Sequence, residues 1–120
     1  MQKLCVICST GFTAIKSKKT CSVECSHKLR NKRYIAAAKR KMVRFKAQIY
    51  ALLGNKCIRC GISDKRVLQI DHINGGGKQE VKKYSNYLVY LRHILRTKCE
   101  GYQLLCANCN WIKKDENNER

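Results

Sequence analysis

Two Cys-x-x-Cys pairs, Cys57/Cys60 and Cys106/Cys109, stand far apart in a chain of 120 residues. Four thiolates from two such knuckles satisfy a closed tetrahedral zinc site, which pins the ends of one small unit together and limits what can lie between them. Between the knuckles, Val67-Leu68-Gln69-Ile70-Asp71-His72 is rich in β-branched and aliphatic residues and reads as a short strand ending on Asp71 and His72. Gly75-Gly76-Gly77 breaks the chain at once. After a basic insertion, Tyr102-Gln103-Leu104-Leu105-Cys106 reads as a second strand, and Cys109-Asn110-Trp111-Ile112-Lys113-Lys114 as the start of a helix. The expected core is strand, loop, strand, helix around one metal.

A second four-cysteine set, Cys5-x-x-Cys8 with Cys21-x-x-x-Cys25, predicts an N-terminal zinc knuckle closed over a loop carrying Lys16, Lys18 and Lys19, with Phe12 and Val23 as its minimal core. Small units often need such a metal because a short chain buries little apolar surface. Disulfides are the alternative use of the cysteines. No apolar segment follows Met1, so a secretory leader is not expected and the pairs are read as zinc ligands in a reducing cytoplasm. No apolar run approaches the roughly 18 residues of a membrane span, and no membrane partner is expected. His27 is expected at the surface, and Cys99, without a partner at knuckle spacing, as a free thiol. His93 falls on a helix-like stretch over 84–97 with a Leu88, Leu91, Leu95 stripe, as a surface or groove residue rather than a ligand.

The formal net charge is +18, a field that attracts polyanions and releases counterions on binding nucleic acid. Residues 26–63 contain no Asp or Glu. Within them Tyr34, Ala38, Met42, Phe45, Ile49 and Leu52 recur at three- and four-residue intervals, predicting a long basic helix with an apolar stripe over 28–52. Lys39, Arg40, Lys41 and Arg44 are its candidate phosphate contacts. The plainer alternative is a solvated helix joining two modules. Lys82, Lys83, Arg92 and Arg96 would add a second basic wall.

Cys57-x-x-Cys60, Ile70-Asp71-His72-Ile73, Tyr102-Gln103-Leu104-Leu105-Cys106 and Cys109-Asn110-x-x-Lys113, in that order and spacing, resemble the HNH endonucleases, also called His-Me finger or ββα-metal nucleases. The run from Asp71 through Gly77, followed later by Gly101-Tyr102-Gln103, resembles a subgroup common in phages and mobile elements. The resemblance spans about half the chain. It implies a ββα-metal HNH core over 53–114; with the N-terminal zinc finger over 1–27, the basic linker helix over 28–52 and a polar, frayed tail over 115–120 read from the residues, the expected fold is small, zinc-stapled α+β.

By that resemblance His72 is the general base that deprotonates water. Asp71 and Asn110 hold one Mg²⁺ or Mn²⁺, and structural Zn²⁺ fills the two four-cysteine sites. Lys113, one turn beyond Asn110, is expected to contact phosphate, and Trp111 to lie in the core or wedge against the knuckle. Many HNH members carry His where this chain has Asn110, and an amide oxygen there favours magnesium over softer ions. The central Asn that normally braces the catalytic histidine falls at Gly101, leaving Asn74 and Gln103 as the nearest polar substitutes.

The implied function is a metal-dependent DNA endonuclease. One site per chain implies nicking, with a homodimer or partner protein needed for double-strand cutting, in the cytoplasm of the host if the gene is phage-borne. The alternative is a non-catalytic, zinc-dependent DNA- or RNA-binding protein with a degenerate HNH fold.

Overall fold

The computed structural model describes residues 1–119. The chain divides into two compact units, Met1–Arg40 and Lys41–Arg120. Among the described residues, no helix is long and apolar enough to cross a membrane.

In the first unit, β1 (Gln2–Leu4) and β2 (Gly11–Thr13) form an antiparallel hairpin with Lys3 opposite Phe12. This hairpin was not expected from sequence. Its turn is the cysteine knuckle itself, where Cys5 N–H donates to the Thr10 carbonyl at 2.9 Å and Ser9 N–H to the Cys5 carbonyl at 2.9 Å. Cys5, Ala14, Thr20 and Cys25 are buried and Phe12 is half-buried, but Val23 is 67% exposed. Val23 is therefore not core: it opens α1 (Val23–Leu52), whose inward-facing residue in that turn is the cysteine.

The helix starts before the expected 28–52 span and ends where expected. Of its expected stripe, Ile49 is fully buried and Met42 and Phe45 pack against the core, whereas Tyr34 and Leu52 are exposed. The buried part of the stripe, Met42, Phe45 and Ile49, belongs to the second unit and packs within its own core. Tyr50 completes that end, its hydroxyl donating to the Leu68 carbonyl at 2.9 Å.

The second unit holds the antiparallel pair β3 (Leu68–His72) and β4 (Tyr102–Cys106). Between them run α2 (Gly77–Val81) and α3 (Tyr87–Arg96), and α4 (Ala107–Glu116) follows β4 directly. Gly75 and Gly76 take positive φ, which L side chains rarely adopt, and so turn the chain from β3 into α2. Asn86 caps α3 by accepting from Val89 N–H at 2.9 Å. The face α3 buries is Tyr90, Leu91 and Ile94, centred one residue away from the leucine stripe expected from sequence. With Leu104 and Leu105 of β4 these side chains form the core, one end of which is closed by Cys57, Cys106 and Cys109. Of the expected tail, Asp115 and Glu116 belong to α4, and the Glu116 carboxylate pairs with Arg59 at 2.8 Å; residue 120 lies outside the described residues.

Candidate functional site

The eight paired cysteines form two clusters, Cys5/Cys8/Cys21/Cys25 and Cys57/Cys60/Cys106/Cys109, in each of which the ligand atoms lie within 4.8 Å of one another. A tetrahedron with Zn–S near 2.3 Å places its sulfurs about 3.8 Å apart. The Sγ separations of 3.5 Å for Cys8–Cys21, 3.8 Å for Cys21–Cys25 and 3.7 Å for Cys60–Cys106 match that, and are far longer than a disulfide of about 2.05 Å. Both sets are suited to structural zinc.

The two knuckles are built alike. In the second, Cys57 N–H donates to the Ile62 carbonyl and Gly61 N–H to the Cys57 carbonyl, each at 2.9 Å, as Cys5 and Ser9 do in the first. Gly61 and Ser9, each following the second cysteine of its pair, both take positive φ. Such turns aim backbone N–H groups at sulfur. Those of Cys8, Ile7 and Cys21 bring Cys5 down to about 6. At Cys57 burial pushes the thiol up, but N–H groups from Cys60, Cys106 and Arg59 outweigh it and bring it down to about 6. Each cluster thus has a thiol ready to ionise for a metal. Cys99 is buried apart from both, its thiol pushed up by burial, in keeping with an inert free thiol.

The strand register sets the second feature. Asp71 faces Gln103 and His72 faces Tyr102 across the β3–β4 pair. Gln103 Nε2 accordingly donates to Asp71 Oδ2 at 2.9 Å, and the Tyr102 ring meets the His72 ring edge-on at 4.9 Å. Gln103, one of the two substitutes expected for the missing brace, therefore braces the carboxylate rather than the imidazole.

The imidazole is held from elsewhere. His72 Nε2 lies 2.7 Å from Glu80 Oε2 and 2.9 Å from the Tyr90 hydroxyl. Tyr102 in turn donates to Glu80 Oε1 at 2.5 Å. Burial, above all, pushes the Tyr90 and Tyr102 hydroxyls far up, so both stay neutral. Burial also pushes Glu80 up, but the Tyr102 hydroxyl and the His72 ring outweigh it and hold the carboxyl below its usual range. Its ionised form stabilises the fold above the ordinary glutamate range, and that contribution is lost as pH falls through the lowered native value. With an anionic acceptor on Nε2, the hydrogen-bond network assigns the ring proton to Nε2 and leaves Nδ1 bare. Nδ1 lies over Gly77, where a Cβ would come within 2.8 Å of it, so a glycine keeps that nitrogen's side open.

Asn110 sits one residue past Cys109 in the first turn of α4 and is 9% exposed. Its Nδ2 donates to Gln69 Oε1 at 2.6 Å, which fixes the amide orientation. Its Oδ1 is, among the described residues, the one buried side-chain polar atom without a hydrogen-bond partner. Such an orphan costs roughly 1–3 kcal/mol unless something satisfies it. Asp71, His72 and Asn110 all line one open cleft, with Lys78, Trp111 and Lys114 also on its wall.

Lys113 does not reach outward to phosphate. It is 4% exposed, and its ammonium contacts the His72 carbonyl at 2.9 Å, Asp71 Oδ2 at 3.2 Å and Glu119 Oε2 at 3.1 Å. Burial alone would lower its pKa, but Glu119 and Asp71 outweigh that and raise it, so the cation persists and ties β3 to α4. Trp111 is 73% exposed, on the cleft wall rather than in the core. Lys39, Arg40, Lys41 and Arg44 are exposed along α1; successive residues fan by roughly 100°, so Arg40, Lys41 and Arg44 share a side of the helix while Lys39 points away from Lys41 and Arg44. His27 is exposed; His93 is half-buried against Tyr84 at 5.0 Å between centroids.

Glu80 and Tyr90 were missed from sequence, although Glu80 carries a signal: it is the only acid between Asp71 and Glu100 in a strongly basic chain. Comparison with protein-family models, with curated proteins and with solved structures finds no match to the chain.

Proposed function

We propose that the chain is a metal-dependent DNA endonuclease of the HNH type, hydrolysing phosphodiester bonds with His72 as general base. The observation that carries this reading is the meeting on one cleft of Asp71, His72 and Asn110, whose buried Oδ1 has no hydrogen-bond partner. The +18 net charge supports DNA as the partner. The strand–strand–helix order of β3, β4 and α4, closed by one four-cysteine cluster, supports the family assignment.

Asp71 and Asn110 offer hard oxygen donors, one of them buried and unsatisfied, and so fit a single Mg²⁺ or Mn²⁺. That ion would offset charge on the scissile phosphate and on the departing 3′ oxygen. The protein's own steps follow from the hydrogen bonds. Gln103 and Lys113 hold the Asp71 carboxylate, and Gln69 holds the Asn110 amide. Glu80 accepts a hydrogen bond from His72 Nε2–H, which keeps its proton, so that Nδ1 takes a proton from water and the carboxylate stabilises the imidazolium that forms. Glu80 is thus a positioning residue, standing in for the brace lost at Gly101.

Glu80→Gln is expected to slow cleavage about 100-fold or more, because an amide can donate to Nε2 and reverse the tautomer. Glu80→Asp should recover part of the rate, with zinc content near wild type in both variants and a modestly lower melting temperature in Glu80→Gln, which lacks the ionised carboxylate. Equal rates in wild type and Glu80→Gln would remove Glu80 from the mechanism.

The nuclease itself is tested by incubating supercoiled plasmid with zinc-loaded protein. Conversion to the nicked form is expected with Mg²⁺ or Mn²⁺ and none without. Binding without cutting under both ions would favour the second reading, a zinc-dependent nucleic-acid-binding protein that has lost catalysis. The Lys113 ammonium on Asp71 Oδ2 is the observation that favours it.

A further inference from the structure

Outside the catalytic cleft, the first unit contains a groove of about 580 Å³ between the loop leading to Cys21 and the second and third turns of α1. That volume is in the range of ligand sites, roughly 300–1,000 Å³. Lys18 and Lys19 line one wall and Arg30 and Arg33 the other, with the Thr20 and Ser26 hydroxyls between them. The walls are held in register: Thr20 Oγ1 and Ser26 Oγ lie 2.6 Å apart, and Val6 N–H donates to the Lys19 carbonyl at 3.1 Å. Thr20 is buried, and the next residue, Cys21, belongs to the metal cluster, so the groove's shape depends on the zinc site.

Four cations on one groove repel one another unless anions answer them. Among the described residues none of the four enters an ion pair, and Glu24 is the only acid in 1–40. Two guanidiniums beside hydroxyl groups suit phosphate oxygens, which accept paired N–H donors. Helix geometry adds direction. Ser26, Arg30, Arg33 and Arg40 lie on one face of α1, whereas Lys28, Lys32 and Lys39 lie roughly opposite. The cationic face therefore continues beyond the groove as a track.

We infer that this groove is a second nucleic-acid contact, binding the phosphodiester backbone of duplex DNA through Lys18, Lys19, Arg30 and Arg33. The inference rests on the DNA-directed reading above but not on cleavage. Of the helix contacts expected from sequence, Lys39, Arg40, Lys41 and Arg44, it keeps Arg40 on the Arg30/Arg33 face and leaves Lys39 on the opposite one.

The test uses the full, zinc-loaded chain carrying His72→Ala, so that a short duplex of arbitrary sequence stays intact. Two triple variants are compared: Lys19→Ala/Arg30→Ala/Arg33→Ala in the groove, and Lys28→Ala/Lys32→Ala/Lys39→Ala on the opposite face. All six residues are exposed, and retention of two zinc ions per chain reports an intact fold. Each phosphate contact adds about 0.9 to the slope of log affinity against log salt, so three add about 2.7. Raising salt from about 50 to about 200 mM should then weaken the parent about 40-fold more than the groove variant, and scarcely more than the opposite-face variant. Equal loss of slope in both triples would mean diffuse attraction and overturn the groove. Tighter binding to RNA of the same length would overturn duplex DNA as its ligand. A wild-type chain that fails to cut, while the groove triple alone loses its slope, would sink the nuclease and support the groove.

Discussion

Replacement of His72 by alanine is expected to slow plasmid cleavage by about 100- to 10,000-fold, the usual contribution of a positioned general base. That is roughly 3–5 kcal/mol of transition-state stabilisation. DNA affinity should change little, because the basic residues of α1 and of the N-terminal groove are untouched. The fold should persist as well. His72 ends β3 rather than filling the core, and Glu80, whose side chain is 27% exposed, can recover water when the imidazole leaves. The informative comparison is therefore rate against binding and zinc content in one preparation. Cleavage within a factor of a few of wild type would sink the assignment of His72 as base. Equal loss of rate and zinc would show damage to the fold instead.

The second large effect is expected at Cys106. This residue ends β4, pairs with Leu68 across the sheet, caps α4 through its sulfur at 3.4 Å from Cys109 N–H, and contributes a thiolate to the cluster. Apparent zinc-binding energies of structural sites run about 10–16 kcal/mol, comparable with the whole stability of a small domain at about 5–15 kcal/mol. Cys106→Ala should therefore release one of two zinc ions per chain and unfold the second unit, seen as lost NMR dispersion for residues after about 53. Cys99→Ala is the control, since Cys99 is also buried but belongs to neither cluster. It should keep both metals. Two zinc ions retained in Cys106→Ala, or one lost in Cys99→Ala, would overturn the ligand assignment.

What was legible in the sequence was whatever covalent spacing or strict periodicity dictates. Both cysteine sets could be grouped because two-residue gaps between thiols suit a metal knuckle. β3 and β4 were readable from β-branched and aliphatic runs ended by glycine or cysteine, and their order placed Asp71, His72 and Asn110 close enough to share a cleft. What escaped depends on tertiary partners. β1 and β2 are three residues each and exist because the knuckle between them turns the chain, a cause that no propensity reveals. The five-residue α2 opens on the last glycine of a run that argues against helix, so although Glu80 stands out as an isolated acid, nothing in the sequence placed it beside His72. Tyr34 and Leu52 fit the apolar period of α1 but are exposed. Lys113 and Trp111 were misplaced because the rotation of α4 could not be known before its contacts with β3: the lysine turns inward and the tryptophan outward.

That rotation is where the cysteine cluster meets the polar groups of the cleft. Cys106 and Cys109 lie at the start of α4, and Asn110 and Lys113 follow within one turn of the same helix. The four sulfurs therefore act as an angular index: by clamping Cys106 and Cys109 they set the azimuth at which each later residue leaves the helix axis. One residue inserted between Cys109 and Asn110 would leave every thiolate in place yet turn the downstream helix by roughly 100°. It would swing the Asn110 amide away from Gln69 and the Lys113 ammonium away from Asp71 together. A cysteine cluster thus sets the geometric tolerance of the cleft, and the spacing of one residue between sulfur and amide is as much part of the site as either group.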